Sequence, residues 1–478
     1  MGQEIDDSEF SAADFAEFAR RLEAETRLLG GWFKESRLSR QDDVGGFELE
    51  AWLIDAEAQP APINAAYLDH LNDEQAMPEL ARFNVEFNVP HEPLVGPFFR
   101  RVHEKLDAIW TRATAAAQQM DAGLIMIGTL PTLREQQLNF SNMSDSNRFR
   151  ALNEQVLLQR QGRPLDLDIV GRERLSIQTE SVMLEAATTS FQIHLKVAPQ
   201  RAVRLFNAAM VASAPMVAVA ANSPYLCGKD LWAETRIPLF EQAVEVGGIA
   251  GAAQGPLHRV SFGTDYVHDS LFECFAENLQ HYPPLLPELF DEPVHRLAHL
   301  RLHNGTIWRW TRPVIGFDDD GTPHLRIEHR VLPAGPSVID SVANAAFYFG
   351  LVRFLASREV APELQLPFAQ AKDNFYCAAR DGLEANITWL DGRKGSIQDV
   401  ILDQLLPMAH SGLDDLAIDA ADRDRYLGVI ENRTRNGLNG SAWQRAYVAE
   451  HGPDPAQLTH AYRRYQDSGE PVHRWEIN

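Results

Sequence analysis

The sequence predicts an α+β fold in which a largely antiparallel sheet carries helices on one face. Four segments alternate apolar and polar residues with period two, the pattern of strands that have one buried face. Several longer segments place apolar residues three and four positions apart, which is typical of amphipathic helices. No internal repeat or Ser/Gly-rich linker divides the chain. We therefore expect one large domain over residues 1–478, with the sheet motifs in 40–335 and a mainly helical part in 337–478.

Composition and charge exclude several classes of protein. Apolar residues make up 45% and charged residues 23% of the 478 residues, which are ordinary globular values. The net charge of −23 disfavours binding to nucleic acid or to an anionic membrane through the overall field. The longest apolar stretch, Ala208 to Ala221, is shorter than the roughly 20 residues of a membrane span. We expect small-molecule substrates as partners, with no nucleic acid and no membrane.

The cysteines point to a cytoplasmic protein. Cys227, Cys274 and Cys377 are too far apart for a zinc-finger spacing, and an odd number does not suit a disulfide framework. The acidic segment from Met1 to Glu9 lacks the pattern of a signal peptide.

Five helices are predicted from capping residues and periodicity. Ser11 and Asp14 form a potential capping box ahead of an apolar stripe. The other helices follow Pro97, run over 200–219, follow Asp340 through Phe354, and run over 396–406 with Ser396 as the cap.

The four predicted strands run over 46–55, 82–90, 190–195 and 324–331. A solvated strand face usually carries Lys, Thr and Ser. The polar faces here carry a different set, in which lysine is lacking: Glu48, Glu50, Glu86, Gln192, His194, Arg326, Glu328 and Arg330. We interpret this polar face as the floor of a site.

The carboxylates of this face suit a divalent cation. Glu48 and Glu50 are two residues apart on one strand, so their side chains start roughly 6.5–7 Å apart on the same side. Like charges this close oppose ionisation unless a cation lies between them. Oxygen-rich sites favour Mg²⁺ or Mn²⁺. The alternative is an ordinary solvated strand face.

Arginines beside these carboxylates suit an anionic ligand. Arg326 and Arg330 flank Glu328 on one face, and the planar guanidinium group binds phosphate or carboxylate through two parallel hydrogen bonds. A cross-strand ladder of ion pairs would use the same residues. Arg309 and Arg312 lie among tryptophans, a setting that is also typical of core packing.

Familiar catalytic motifs are missing from the sequence. It contains no Gly-x4-Gly-Lys-Ser/Thr phosphate loop, no Gly-x-Gly-x-x-Gly, no His-Glu-x-x-His and no Gly-x-Ser-x-Gly. Composition and spacing thus indicate a site for divalent metal and an anion, without specifying a reaction.

A series of short motifs runs through most of the sequence: Gly46-Phe-Glu-Leu-Glu50, Ser190-Phe-Gln-Ile-His194, Ala221-Asn-Ser-Pro224 with Arg236, Gly305-Thr-Ile-Trp-Arg-Trp310 with Arg312-Pro313, Pro323-His-Leu-Arg-Ile-Glu-His-Arg-Val-Leu-Pro333, Asn344-Ala-Ala-Phe347, Asn374-Phe375 with Ala379-Arg380, and Gly440-Ser-Ala-Trp-Gln444. In these motifs and their order the chain resembles the glutamate–cysteine ligase type 2 family of carboxylate–amine ligases, which are relatives of glutamine synthetase. The most specific of these motifs is the Arg-Ile-Glu-x-Arg segment.

The resemblance implies a glutamine synthetase-like catalytic domain with a curved antiparallel sheet, ATP as co-substrate and bound Mg²⁺, with Mn²⁺ as an alternative. It implies that metal is bound by Glu48, Glu50, Glu86, Glu328 and His194. Arg326, Glu328 and Arg330 would be catalytic, with Arg326, Arg330 and Arg309 toward the nucleotide. Gln192, Arg236 and Arg312 would contact the amino-acid substrate.

The implied reaction activates glutamate as a γ-glutamyl phosphate, which an amine, by preference cysteine, then attacks. Three alternatives stay open: a ligase for another amine, a phosphagen-type kinase that phosphorylates a guanidino nitrogen, and a catalytically idle binding protein. The oligomeric state, including a homo-oligomer, is not specified by the sequence.

Overall fold

The predicted polar face belongs to a seven-stranded sheet in the computed structural model, which describes residues 4–41, 43–246 and 258–477. The strands are β1 (Val44–Ile54), β2 (Ala76–Pro78), β3 (Asn84–Pro93), β4 (Gly123–Ile125), β5 (Leu165–Val170), β6 (Arg174–Thr179), β7 (Phe191–Val197), β8 (Tyr225–Leu226), β9 (Lys229–Asp230), β10 (Val260–Ser261), β11 (Trp308–Arg309), β12 (Thr311–Phe317), β13 (Pro323–His329), β14 (Asn386–Thr388) and β15 (Lys394–Ser396).

The order in the main sheet is β12-β13-β7-β1-β3-β2, with β4 paired to β1, and every pairing is antiparallel. The sheet curls into a half-barrel, which confirms the predicted fold class. The remaining strands form two-stranded sheets, β5-β6, β8-β9, β10-β11 and β14-β15.

Helices surround this sheet and make up most of the chain after Ser337. They are α1 (Ala12–Lys34), α2 (Asn64–Leu71), α3 (Phe98–Gln118), α4 (Asn147–Gln159), α5 (Pro199–Ala220), α6 (Arg236–Ala243), α7 (Phe272–His281), α8 (Ala298–Asn304), α9 (Val338–Ser357), α10 (Phe368–Asp381), α11 (Ile397–Val400), α12 (Leu406–Asp415), α13 (Ala420–Asn436), α14 (Gly440–His451) and α15 (Pro455–Asp467).

The predicted strands correspond to β1, β3, β7 and β13, with ends displaced by one to three residues. Strand β12 was not predicted from the sequence, because Pro313 and Gly316 interrupt its alternation. The predicted capping box is present at α1: the Ser11 amide donates to Asp14 Oδ2 over 2.7 Å, and the Asp14 amide donates back to Ser11 Oγ.

One predicted helix is wrong in its cap and its end. Ser396 precedes α11, but its side chain accepts no hydrogen bond from the first helical turn. The helix does not end near Leu406 but continues through a π-helical turn, Ile401–Leu405, into α12. Pro407 lacks the N–H that would bond back to the preceding turn, and the wider π turn lies just before it.

The apolar face of the sheet is covered by α3 and α9. The Phe47 ring on β1 stacks on Phe191 of β7, with ring centroids 5.3 Å apart, and it also contacts Phe98 and Phe349 from the two helices. A Cβ atom at Gly45 would lie 2.9 Å from the Phe98 ring, so the strand and helix approach too closely for any side chain there. This packing leaves the opposite face for polar residues.

Helices α5 and α9 are long and apolar enough to cross a membrane. Their most apolar stretches are 89% and 83% buried within the structure, where the two helices pack on each other. Burial in the protein interior accounts for their composition.

A buried ion pair fastens the C-terminal helices to this interior. Arg433 on α13 and Asp340 on α9 lie 2.7 Å apart, and both side chains are fully buried. Arg433 also donates to Val219 O and Asn344 Oδ1, while Asp340 accepts the amide of Val472. The pair therefore joins α5, α9, α13 and the C-terminal segment.

We expect Arg433→Met to lower the free energy of unfolding by about 3–5 kcal/mol, because Asp340 would remain buried without its cation. Urea unfolding of the purified variant measures the change. The control is Arg435→Met, which removes an exposed pair with Glu431 on the same helix and should cost at most about 0.5 kcal/mol. Equal losses in the two variants would contradict the assigned importance of the buried pair.

Candidate active site

The strand register brings most of the predicted site residues together. Glu50 on β1 lies directly opposite Glu86 on β3. Glu328 on β13 lies between His194 on β7 and Arg312 on β12. All the predicted site residues except Arg309 line one cavity over the polar face.

Two groups of three residues in this cavity can each hold a cation. Glu48, His194 and Glu328 form the first group, and Glu50, Glu79 and Glu86 form the second. Within each group the potential ligand atoms lie within 4.8 Å of one another. The two groups contain every residue predicted to bind metal, together with Glu79.

Glu79 was missed by the sequence analysis because it follows the short edge strand β2, outside any alternating run. Burial and the negative charges of Glu50 and Glu185 raise the pKa of Glu79 to about 8. Burial and the charge of Glu48 likewise raise the pKa of Glu86 well above its usual value. A cation between these carboxylates would remove the penalty on their ionised forms.

In the first group, the pKa of Glu328 is shifted in the opposite direction. Burial alone would raise the pKa of Glu328, but the guanidinium groups of Arg312 and Arg330, with His194, lower it to about 2. His194 Nε2 lies 3.2 Å from Glu48 Oε1, and neither ring nitrogen forms a well-oriented hydrogen bond with the described residues. A buried imidazole without such partners fits a metal ligand.

These residues fit Mg²⁺ or Mn²⁺. The second group offers only carboxylate oxygens, which hard divalent cations prefer, and the first adds one imidazole nitrogen.

A continuous chain of hydrogen bonds runs across the floor of the cavity. Arg312 holds Glu328 through its Nε and Nη2 atoms, and Arg330 Nη1 donates to both Glu328 and Gln192. Gln192 Nε2 in turn donates to Glu50 Oε1 over 2.9 Å.

Ser190 completes the chain at Glu50. Its amide donates to Glu50 Oε2 over 2.7 Å and its hydroxyl group donates to Oε1 over 2.6 Å. The chain therefore joins groups on β12, β13, β7 and β1 and fixes two candidate metal ligands, Glu50 and Glu328.

Arg326 and Arg330 retain donors that no described residue accepts. The Nε atom of each is buried without a hydrogen-bond partner. The Arg326 guanidinium makes no hydrogen bond or ion pair with any residue in the described parts of the chain, and both arginines line the cavity. Buried guanidinium donors that lack an acceptor in the protein are well placed to bind an anionic ligand.

Arg309 does not reach the cavity, so its predicted contact with the nucleotide is not supported. It is buried, and its guanidinium donates to Asn278 Oδ1 and Glu277 Oε2 over 2.7 Å each, with Tyr282 beside it. The flanking tryptophans in the sequence therefore indicate packing at this position.

Arg236 lines the cavity, but its donors serve the protein. Nη2 donates to the carbonyl groups of Arg330 and Leu332, and Nη1 lies 3.3 Å from Glu234. The guanidinium thus braces the backbone just after β13. The polar atoms of Gln192 and Arg312 are also occupied by protein partners, in the hydrogen-bond chain described above.

Other cavity residues were missed because they lie outside the alternating strands. Arg148 and Phe149 begin α4, Glu185 lies in a 3₁₀ turn, Val182–Ala187, and Arg301 belongs to α8.

The fold of the chain is similar to that of solved ligase structures. A glutamate–cysteine ligase from Francisella tularensis, solved in complex with AMP, is 11% identical, with a TM-score of 0.54 over 92% of this chain and 91% of that chain. A bifunctional glutathione synthetase from Pasteurella multocida is also 11% identical, with a TM-score of 0.51 over 93% of this chain and 55% of that chain. These likenesses confirm the glutamine synthetase-like fold.

A comparison with curated protein sequences finds no match. The family model described as glutamate-cysteine ligase family 2 matches residues 44–461, which include the whole main sheet and every residue of the cavity floor. The chain therefore belongs to glutamate–cysteine ligase family 2 and is an ATP-dependent ligase that joins a carboxylate to an amine.

Proposed function

We propose that this ligase joins the γ-carboxylate of glutamate to the amino group of cysteine, through a γ-glutamyl phosphate. The observation that carries the proposal is the placement of Arg326 and Arg330, with unsatisfied buried donors, beside two groups of potential metal ligands. Family membership favours glutamate and cysteine as the substrates, as does the name of the Francisella tularensis enzyme.

The two groups of carboxylates, with His194, would hold Mg²⁺ or Mn²⁺. Bound there, these cations neutralise phosphate charge and polarise the transferring phosphoryl group.

Arg326 and Arg330 would bind oxygen atoms of the transferring phosphoryl group. Arg330 is held at Nη1 by Gln192 and Glu328, which orients its remaining donors into the cavity. Donors that are oriented before the reaction stabilise developing charge without reorganising. The resemblance implied amino-acid contacts for three other side chains, which would instead hold their neighbours in place. Arg312 would fix Glu328 and Gln192 would fix Glu50. Arg236 would fix the backbone at Arg330.

The reaction then follows from the chemistry of a carboxylate. An oxygen of the γ-carboxylate attacks the terminal phosphorus of ATP and ADP leaves, which turns a poor electrophile into an acyl phosphate. The amine attacks the acyl carbon, the carbon–oxygen bond to phosphate breaks, and an amide forms.

The proposed substrates are tested by incubating the protein with ATP, Mg²⁺, glutamate and one amine at a time, with product masses and ADP as readouts. We expect γ-glutamylcysteine and stoichiometric ADP when cysteine is the amine. Formation of an amide with a different amine would identify that amine, rather than cysteine, as the acceptor. A phosphorylated guanidino product, or no turnover with any pair of acid and amine, would contradict the proposal.

The metal assignment is tested with Glu86→Gln, which removes one carboxylate of the second group while preserving shape. We expect the variant to bind one Mn²⁺ ion fewer than the wild type, counted by electron paramagnetic resonance, and to lose nearly all turnover. The control is Glu92→Gln on the same strand, since Glu92 pairs with Arg101 and Lys105 outside the cavity. Unchanged Mn²⁺ binding in a folded Glu86→Gln protein would rule out the second metal group.

A further inference from the structure

Glu185 lines the cavity, but none of the reaction steps proposed above assigns it a role. Its Oε2 atom is buried and accepts no hydrogen bond from any residue in the described parts of the chain. The backbone around it is well fixed, because the Glu185 carbonyl accepts both the amide and the hydroxyl group of Thr188. A buried carboxylate oxygen without a donor is costly, so the missing donor is expected on a ligand.

The position of Glu185 is distinct from the two candidate metal groups, neither of which includes it. It lies in the turn that leads into β7, on the wall of the same cavity as the hydrogen-bond chain. The turn therefore holds this carboxylate on the wall of the cavity that the substrates are proposed to occupy.

The charged groups that face Glu185 are Arg330, Glu50, Arg148 and Glu79. Burial raises the pKa of Glu185, Arg330 and Arg148 oppose this shift, and Glu50 adds to it, with the result that the pKa is about 7. Because its Oε2 atom is buried on the cavity wall without a donor, the Glu185 carboxylate can accept a hydrogen bond, and then a proton, from a cationic group of a ligand.

We propose that Glu185 is the general base that binds the ammonium group of the acceptor amine and removes a proton from it. The inference rests on the proposed function, because it assigns the base for that reaction. It defines the acceptor chemically as a primary amine that arrives in its protonated form.

One proton passes from the ammonium nitrogen to a carboxylate oxygen of Glu185 and is released to solvent after the reaction. The freed lone pair attacks the acyl carbon of the acyl phosphate. The bond from that carbon to the phosphate oxygen breaks, phosphate leaves with the electron pair, and it takes the second proton from nitrogen as the amide forms.

The test compares two nucleophiles in the full-length protein. Cysteine reacts through an ammonium group, whereas hydroxylamine is uncharged at neutral pH and needs no base before it attacks. We expect Glu185→Gln to lower kcat with cysteine by about 100-fold to 10,000-fold, the range that a general base contributes. The rate of γ-glutamyl hydroxamate formation and the KM for ATP should remain within a few-fold of the wild-type values.

Two further measurements separate catalysis from structure. The matched control is Glu180→Gln, an exposed glutamate just before the same turn, which should leave both rates unchanged. In the wild type, kcat with cysteine should rise with pH through an apparent pKa that the hydroxylamine reaction lacks.

An equal loss of both reactions in Glu185→Gln would overturn the assignment, because the proposed proton removal precedes attack only when the amine arrives as an ammonium group. Wild-type protein that forms no hydroxamate from glutamate, ATP and hydroxylamine would instead overturn the proposed function, and this inference with it.

Discussion

The cavity depends on a chain of charged hydrogen bonds that crosses four strands, from Arg312 through Glu328, Arg330 and Gln192 to Glu50. Each link orients a group that a substrate or a cation would use, and the side chains of Arg312, Glu328 and Arg330 are largely buried. Charge-assisted hydrogen bonds are stronger than neutral ones, and a buried position strengthens them further. The chain keeps Glu328 ionised while leaving donors of Arg330 for an incoming anion.

The remaining acidic groups lack such support. Glu79 and Glu86 lie close to other carboxylates, and burial together with their neighbours' charge raises the pKa of both groups. Ionising all of these groups together requires a cation, which links metal binding to the charge state of the site. Contacts elsewhere in the fold support this face. Arg236 braces the backbone after Arg330, and the Arg433–Asp340 pair fixes the helices behind the sheet.

Alternation in the sequence was enough to predict the main strands and the side chains of the cavity floor. Because a strand directs every second residue to the same side, Glu48, Glu86 and Arg326 could be assigned to one face before the strand order was known. Register could not be predicted in the same way, and it is register that sets Glu50 opposite Glu86. Glu79 and Glu185 lie in non-repeating segments, where no periodic pattern reports the direction of a side chain. Arg309 lies outside the cavity floor, and a basic residue among tryptophans can belong to the interior as well as to a site.

The central claim is that this face activates a carboxylate by phosphorylation, and isotope transfer tests it most directly. Glutamate labelled with ¹⁸O in its γ-carboxylate is incubated with the protein, ATP, Mg²⁺ and cysteine, and the inorganic phosphate is analysed by mass. The oxygen that attacks phosphorus leaves with phosphate when the amide forms, so the account predicts one ¹⁸O atom in each phosphate released. Unlabelled phosphate produced together with γ-glutamylcysteine would contradict an acyl phosphate and the role assigned to Arg326 and Arg330.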